Sequence, residues 1–291
     1  MQKGRLFFSP NASGIMGEGL HRNEQFLYRG DRMSNKKMIF FDIDGTLLDH
    51  NKKLPASTKE AINALRDKGH HVAIATGRAP FMFEDLRREL SIDTFISYNG
   101  QYVEHNGKTI VSNPLHYDSL KELTEAAAVN NHPLVYMGRS EMKANVEQHD
   151  RITNSFNSLK IKSFPTHDPS YFHMEEIYQT LLFCEGNEEE AYDEKFERFD
   201  FIRWHPQSVD VIPAGGSKAR GIEEVIKILS IKMENVYAFG DGLNDIEMLA
   251  AVGCGIAMGN GCSEAKEAAD FTTTAVDEFG IAEGLKRAGL L

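Results

Sequence analysis

Short apolar runs alternate with amphipathic stretches along most of this chain, and the runs end in polar clusters. Ile39, Phe40 and Phe41 form the first, short enough for a buried strand, closing on Asp42, Asp44, Gly45 and Thr46. Ser57-Thr58-Lys59-Glu60 has capping-box spacing and predicts a helix with Ala61, Ile62 and Leu65 inward and a stop at Gly69. His71–Ala75 reads as a second buried strand, closed by Thr76-Gly77-Arg78. A helix follows, with Pro80 near its first turn and Phe83, Leu86 and Leu90 on one face. Phe95–Tyr98 is a third strand, ending at Asn99-Gly100. Strands and helices alternating over short connections predict an α/β fold, a Rossmann-like parallel sheet with helices on both faces. Ligands of such sheets sit at the carboxyl ends of the strands, where Asp42, Asp44, Thr76 and Asn99 fall.

The pattern changes near Pro114. A helix over Asp118–Asn130, alternating segments at Leu134–Met137 and Met142–Val146, an apolar run Ile177–Cys184, an acidic helix Glu188–Lys195 and an extended Phe199–Trp204 predict an inserted α+β domain over residues 114–206. The first style then returns. Val209–Ile212 reads as a strand, and Ser217-Lys218 opens a helix with Ile222, Val225, Ile226 and Leu229 inward. Val236–Phe239 is a strand ending in Gly240-Asp241-Gly242-Leu243-Asn244-Asp245. A helix carrying Ile246 and Leu249, strands Cys254–Met258 and Phe271–Thr273, and helices Ser263–Ala269 and Ile281–Ala288 complete a core of residues 37–113 and 207–291.

Residues 1–36 lack a sustained period and read as a disordered or extraneous extension. Arg29-Gly30-Asp31 can be encoded by a purine-rich stretch resembling a bacterial ribosome-binding site, so Met33 is a candidate start. Finding residues 1–32 in the intact mass of the natively expressed protein would refute that start.

The composition, 41% hydrophobic and 26% charged, is that of a globular chain, and the formal net charge of −11 argues against nucleic acid or an anionic membrane as a general partner. Cys184, Cys254 and Cys262 are odd in number, without metal-site spacing, as expected of reduced thiols in the cytoplasm. No apolar run is long enough to span a bilayer.

The candidate chemistry lies in four pieces. Asp42, Asp44, Asp241 and Asp245 are four carboxylates that could not share one crevice as anions without a cation. All-oxygen donors point to a hard metal, and sparse carboxylates suit Mg2+ better than zinc. Lys218 stands in a helix first turn, where the macrodipole disfavours a cation, which suits a role in meeting an anion. Thr76 offers a hydroxyl near backbone N–H groups at a strand end, a natural phosphate cradle. Singly, each has an ordinary reading: a solvated turn at Asp42 or Thr76-Gly77, a surface lysine, a first-turn acid. Their joint placement at strand ends and helix starts favours the functional one.

D-x-D-G-T-L at Asp42–Leu47, A-T-G-R at Ala75–Arg78, S-K at Ser217–Lys218 and G-D-G-x-N-D at Gly240–Asp245 resemble the four motifs of the haloacid dehalogenase-like hydrolase superfamily. The insertion between the second and third motifs, with Tyr98-Asn99-Gly100, is similar to the Cof-type subfamily with a type IIB cap. The resemblance implies a Mg2+-dependent phosphatase acting on a small phosphorylated metabolite, a sugar or cofactor phosphate. Asp42 would be the nucleophile and Asp44 the general acid and base. Asp42, Asp241, Asp245 and the Asp44 backbone carbonyl would hold the metal; Thr76, Gly77, Lys218 and Asn244 would meet the phosphate. Arg78 and Asn99 are substrate-side candidates by position. The alternatives are a hexose phosphomutase sharing this cap type and a non-catalytic phosphate-binding relative. A relative of that last kind usually lacks a motif residue, and here all are present.

Overall fold

The computed structural model describes residues 36–158 and 164–291, so the readings made over residues 1–35 lie outside the described residues. In chain order the first elements are β1 (Met38–Phe41), α1 (Ala56–Asp67), β2 (His71–Ala75), α2 (Glu84–Leu90), β3 (Thr94–Ser97), β4 (Tyr102–His105) and β5 (Lys108–Ser112). Then come α3 (Tyr117–Val129), β6 (Leu134–Met137), β7 (Met142–Ala144), α4 (Asp150–Ser158), β8 (Thr166–His167), β9 (Gln179–Leu182), α5 (Glu190–Asp193), β10 (Phe199–His205) and β11 (Ser208–Pro213). The chain closes with α6 (Lys218–Leu229), β12 (Val236–Gly240), α7 (Ile246–Ala251), β13 (Cys254–Ala257), α8 (Ser263–Ala268), β14 (Phe271–Thr272) and α9 (Gly280–Arg287).

The main sheet has the order β14-β13-β12-β1-β2-β3-β4-β5, parallel from β14 to β3. Side chains of β1 alternate faces, as the pleat requires. Ile39 and Phe41 pack with Ile62 and Leu65 of α1, Leu90 of α2 and Ile281 and Leu285 of α9. Met38 and Phe40 pack with Ile222 and Val225 of α6, Met248 and Leu249 of α7 and Ala265 of α8. Helices on both faces leave all four β1 residues fully buried, and each such apolar side chain contributes roughly 1.5–3 kcal/mol. The strand carrying Asp42 is therefore the most deeply held in the sheet, and the parallel neighbours β12, β1, β2 and β3 all end on one edge.

The second sheet has the order β10-β11-β9-β6-β7-β8, with α3 against one face through Leu120, Leu123 and Ala127.

The expected parallel sheet is present from β14 to β3, and Tyr102–Ser112 adds an antiparallel hairpin to its edge. Three expectations are corrected. The strand at Val209–Ile212, expected to rejoin the core at residue 207, pairs with β9 and β10 in the second sheet through Pro213. Helix α1 has Pro55 at its N-cap without a side-chain cap bond, so the Ser57–Glu60 capping box does not form. The acidic helix shrinks to Glu190–Asp193, and α4 was not anticipated.

Candidate active site

The Asp42 amide donates to the Phe239 carbonyl at 3.0 Å, extending the β1 ladder by one residue before the chain turns. In the turn, Leu47 donates to the Asp42 carbonyl at 3.2 Å, Leu48 to Ile43 at 2.8 Å and Gly45 to Leu48 at 2.9 Å. Gly45 adopts φ +83°, and a Cβ there would lie 2.2 Å from Asp241 Oδ2. Both the left-handed backbone and the close approach require glycine. Thr46, fully buried, donates through Oγ1 to Asp241 Oδ1 at 2.7 Å, tying the turn after β1 to the loop after β12.

That loop is organised by Asp245, whose Oδ2 accepts from the Asp241 and Gly242 amides at 2.9 Å each. Its Oδ1 accepts from Lys218 Nζ at 2.6 Å, and the same ammonium donates to Asp42 Oδ1 at 2.6 Å. Lys218 is 1% exposed, which rules out the surface-lysine reading. Ser217 caps its helix, Oγ accepting from the Arg220 amide at 3.4 Å, and so fixes where Lys218 enters.

Asp42, Asp241 and Asp245 each present an oxygen within 4.8 Å of the others. Three carboxylates against the single Lys218 ammonium leave a formal charge of −2 (−3 + 1) in a mostly buried pocket. The strain shows in the acidities. Burial raises the Asp42 carboxyl to about 7; Lys218 opposes the rise and the charges of Asp245 and Asp241 add to it. Burial likewise raises Asp241 to about 6, opposed by the Thr46 hydrogen bond. Lys218 is disfavoured by burial, but Asp42 and Asp245 outweigh that and hold it charged, above the usual lysine range. An all-oxygen donor set with two uncompensated negative charges fits a hard divalent cation.

The Asp44 carboxylate stands apart from this cluster, so its side chain is not among the grouped metal donors. Arg78 grips it in a fork, Nε to Oδ2 at 2.7 Å and Nη2 to Oδ1 at 2.6 Å, and Lys52 also pairs with it. Partial burial would raise its carboxyl, but Arg78 and Lys52 hold it below the usual range. Thr76 is buried, its Oγ1 accepting from the Arg78 amide at 3.2 Å. Asn99 sits in the left-handed region at φ 51°, and its Oδ1 accepts from Asn244 Nδ2 at 3.0 Å. A Cβ on Gly77 would approach the Asn99 amide to 3.1 Å, so the Thr76 loop, Asn99 and Asn244 are neighbours. Three participants were missed from sequence: Thr46, read only as a pattern breaker; Lys52; and Asn260, which donates to the Gly45 carbonyl at 2.8 Å. Only Thr46, beside the two aspartates, carried a usable signal.

The doubly wound sheet carries, at its strand ends, a buried lysine and an acidic cluster that could hold a metal ion. The chain belongs to the haloacid dehalogenase-like hydrolases, whose family model matches residues 39–285. It is 48% identical over 257 residues to the phosphatase-named protein YkrA of Bacillus subtilis (strain 168), an alignment spanning 88% of this chain and 99% of the relative. A crystal structure of a hypothetical protein from Geobacillus kaustophilus HTA426 is 52% identical, with TM-score 0.86 over 88% of this chain and all of that one. The subclass IIB sugar phosphatase BT4131 is 30% identical, with TM-score 0.75 over 88% of this chain and all of that one. The chain is an enzyme of phosphatase type acting on a small phosphorylated substrate. Among the described residues no helix is long and apolar enough to cross a membrane.

Proposed function

We propose that this enzyme is a Mg2+-dependent phosphatase that hydrolyses a small phosphorylated metabolite through an aspartyl-phosphate on Asp42. The observation that carries the reading is the cluster of Asp42, Asp241 and Asp245 with its formal −2, beside an Asp44 held outside it by Arg78. Asp42, Asp241 and Asp245, joined by the Asp44 backbone carbonyl, would hold Mg2+, which supplies the positive charge that lets a carboxylate approach a phosphate dianion.

Asp42 attacks phosphorus through a carboxylate oxygen, and the bond from phosphorus to the ester oxygen breaks. Asp44 gives its proton to that departing oxygen, so the leaving group departs as an alcohol. Asp44, now a carboxylate, takes a proton from the water that attacks the acyl-phosphate, releasing inorganic phosphate and restoring Asp42. The resting Asp44, ionised by Arg78 and Lys52, is in the form needed for this second half. For the first half it exchanges those partners for the leaving oxygen and a proton. Lys218, fixed between Asp42 and Asp245, favours the ionised form of the nucleophile against the effect of burial and holds its oxygen in place. Thr76, Gly77 and Asn244 line the position for the transferring phosphoryl group, with Arg78 and Asn99 on the substrate side.

Residues 114–213, carrying the second sheet, serve in this reading as the cap over the leaving group. Free Cys184, Cys254 and Cys262 and a small metabolite as substrate support a cytoplasmic setting. The test is phosphate release from a panel of phosphorylated metabolites with Mg2+ or with EDTA, each with and without a hexose bisphosphate. Mg2+-dependent release that needs no bisphosphate is expected. Isomerisation that requires the bisphosphate would identify a mutase instead.

A further inference from the structure

Among the described residues the chain passes between the two sheets twice, over 113–116 after β5 and over 214–217 after β11. Both crossings run against one side chain. Gln101, 2% exposed, stands in the turn between β3 and β4. Its Nε2 donates to the Pro213 carbonyl at 2.9 Å, where the second crossing begins. Its Oε1 accepts from Asn113 Nδ2, and its backbone carbonyl accepts from the Asn113 amide at 2.9 Å. A proline carbonyl can only accept, so it fixes which end of the glutamine amide faces it and leaves Oε1 for the first crossing. The second crossing lies so close that a Cβ on Gly216 would sit 1.8 Å from Gln101 Nε2.

The turn that carries Gln101 also reaches the candidate active site. Tyr98, Asn99 and Gly100 follow one another in the left-handed region, at φ 52°, 51° and 97°. A fully buried tyrosine in that region is strained, so surrounding contacts must hold the turn in shape. The Tyr98 hydroxyl donates to the Gly138 carbonyl, in the turn between β6 and β7, at 2.7 Å. Asn99 accepts from Asn244. Gly100 lies against the Ser217 carbonyl, to which a Cβ would come within 2.2 Å, and Ser217 is the cap residue of the helix that Lys218 opens. One short turn thus joins the second sheet, the two crossings and the residues around Lys218. A shift of either crossing at Gln101 is transmitted to Asn99 and to the start of α6.

We propose that Gln101 is a positioning residue of the reaction: by clasping both crossings, it sets the cap over Asp42, Lys218 and Asn244 so that the leaving group is placed for transfer. Its side-chain bonds run to the crossings and to none of the residues that would meet phosphate or metal, so it acts through the cap. This inference rests on the phosphatase reading above, in which residues 114–213 are the cap, and adds the residue that holds that cap in place. A leucine of similar volume would fill the same space, but it would leave Asn113 Nδ2 and the Pro213 carbonyl without their partner and the crossings free to slide.

The experiment uses the full chain with Mg2+ and two probes of different reach. Acetyl phosphate has a leaving group too short to be placed by the cap, whereas the ring of p-nitrophenyl phosphate extends towards it. Each protein is assayed well below its melting temperature, so that loss of folded enzyme contributes to neither rate. Gln101→Leu should lower kcat/KM for p-nitrophenyl phosphate by about tenfold or more, as expected for a leaving group displaced by a fraction of an ångström, and change that for acetyl phosphate by less than about threefold. Asn113→Ala, at an exposed position, removes only the partner of Oε1 and should move the ratio of the two probes in the same direction by a smaller factor. The double variant should be no worse than Gln101→Leu alone, since both changes open one clasp. Should Gln101→Leu fail to fold, Asn113→Ala alone decides, through the same ratio. An unchanged ratio, whether both probes fall equally or neither falls, would overturn the inference while leaving the phosphatase reading intact. Failure of the wild type to release phosphate from either probe would overturn both.

Discussion

The metal-free protein should lose stability as pH rises, and Mg2+ should restore it. The Asp42 carboxyl moves from 3.8 to about 7 on folding, burial being the leading cause. A group whose folded value lies above its unfolded value stabilises the folded state fully below the unfolded value. That contribution is lost as pH rises through the folded value. At about 1.36 kcal/mol for each pH unit between the two values, the whole effect is about 4 kcal/mol, of which about 3 kcal/mol falls between pH 5 and pH 8. Asp241, raised to about 6, adds in the same direction. His70 and His132, both lowered by burial, act in the opposite sense and must be subtracted. The assay is therefore urea unfolding in EDTA at pH 5, 6, 7 and 8 for wild type and Asp42→Asn, which lacks the titrating group at nearly the same volume. The wild-type curve should fall relative to the variant by about 3 kcal/mol over this window. Adding Mg2+ at about 100 times its dissociation constant should return about 2.7 kcal/mol to the wild type at pH 8. Parallel pH profiles for the two proteins, or a wild type indifferent to Mg2+, would refute the reasoning that the cluster is an under-neutralised cation site.

Asp44→Asn should lower kcat by about 100- to 10,000-fold while Mg2+ affinity, followed by calorimetry, stays within a few fold, because the Asp44 carboxylate lies outside the Asp42–Asp241–Asp245 cluster. Thr46→Val removes the 2.7 Å bond to Asp241 Oδ1 and should weaken Mg2+ binding by about 10- to 100-fold, with little change in melting temperature. Gly45→Ala forces a Cβ into Asp241 at φ +83° and should cost about 1–3 kcal/mol in urea unfolding, with Mg2+ affinity falling alongside.

Much of this arrangement was legible in the sequence because the core obeys local rules. A fully buried parallel strand must be a short apolar run, and the residue after it must face the sheet edge, so Asp42, Thr76 and Asp241 could be placed without coordinates. Lys218 was singled out by its mismatch with the helix dipole, and its burial between Asp42 and Asp245 supplies the reason. What stayed hidden depends on partners far along the chain. The Thr46–Asp241 bond spans 195 residues, and no local period encodes it. Asp210 sits on a strand whose apolar alternation is the same whether it joins the first sheet or the second, so its sheet was unreadable. The Ser57 capping box matched in spacing, yet Pro55, already extended at φ −63° and ψ 141°, starts the helix two residues earlier.

The central claim is that Asp42 carries the phosphoryl group, and the most direct measurement is rapid acid quenching of enzyme mixed with Mg2+ and a turned-over substrate, followed by peptide mass spectrometry. The account predicts one phosphoryl mass on the peptide containing Asp42 in the wild type and none in Asp42→Asn, which should also lose turnover. Full turnover with no label on that peptide, or near-wild-type rates in Asp42→Asn, would contradict it.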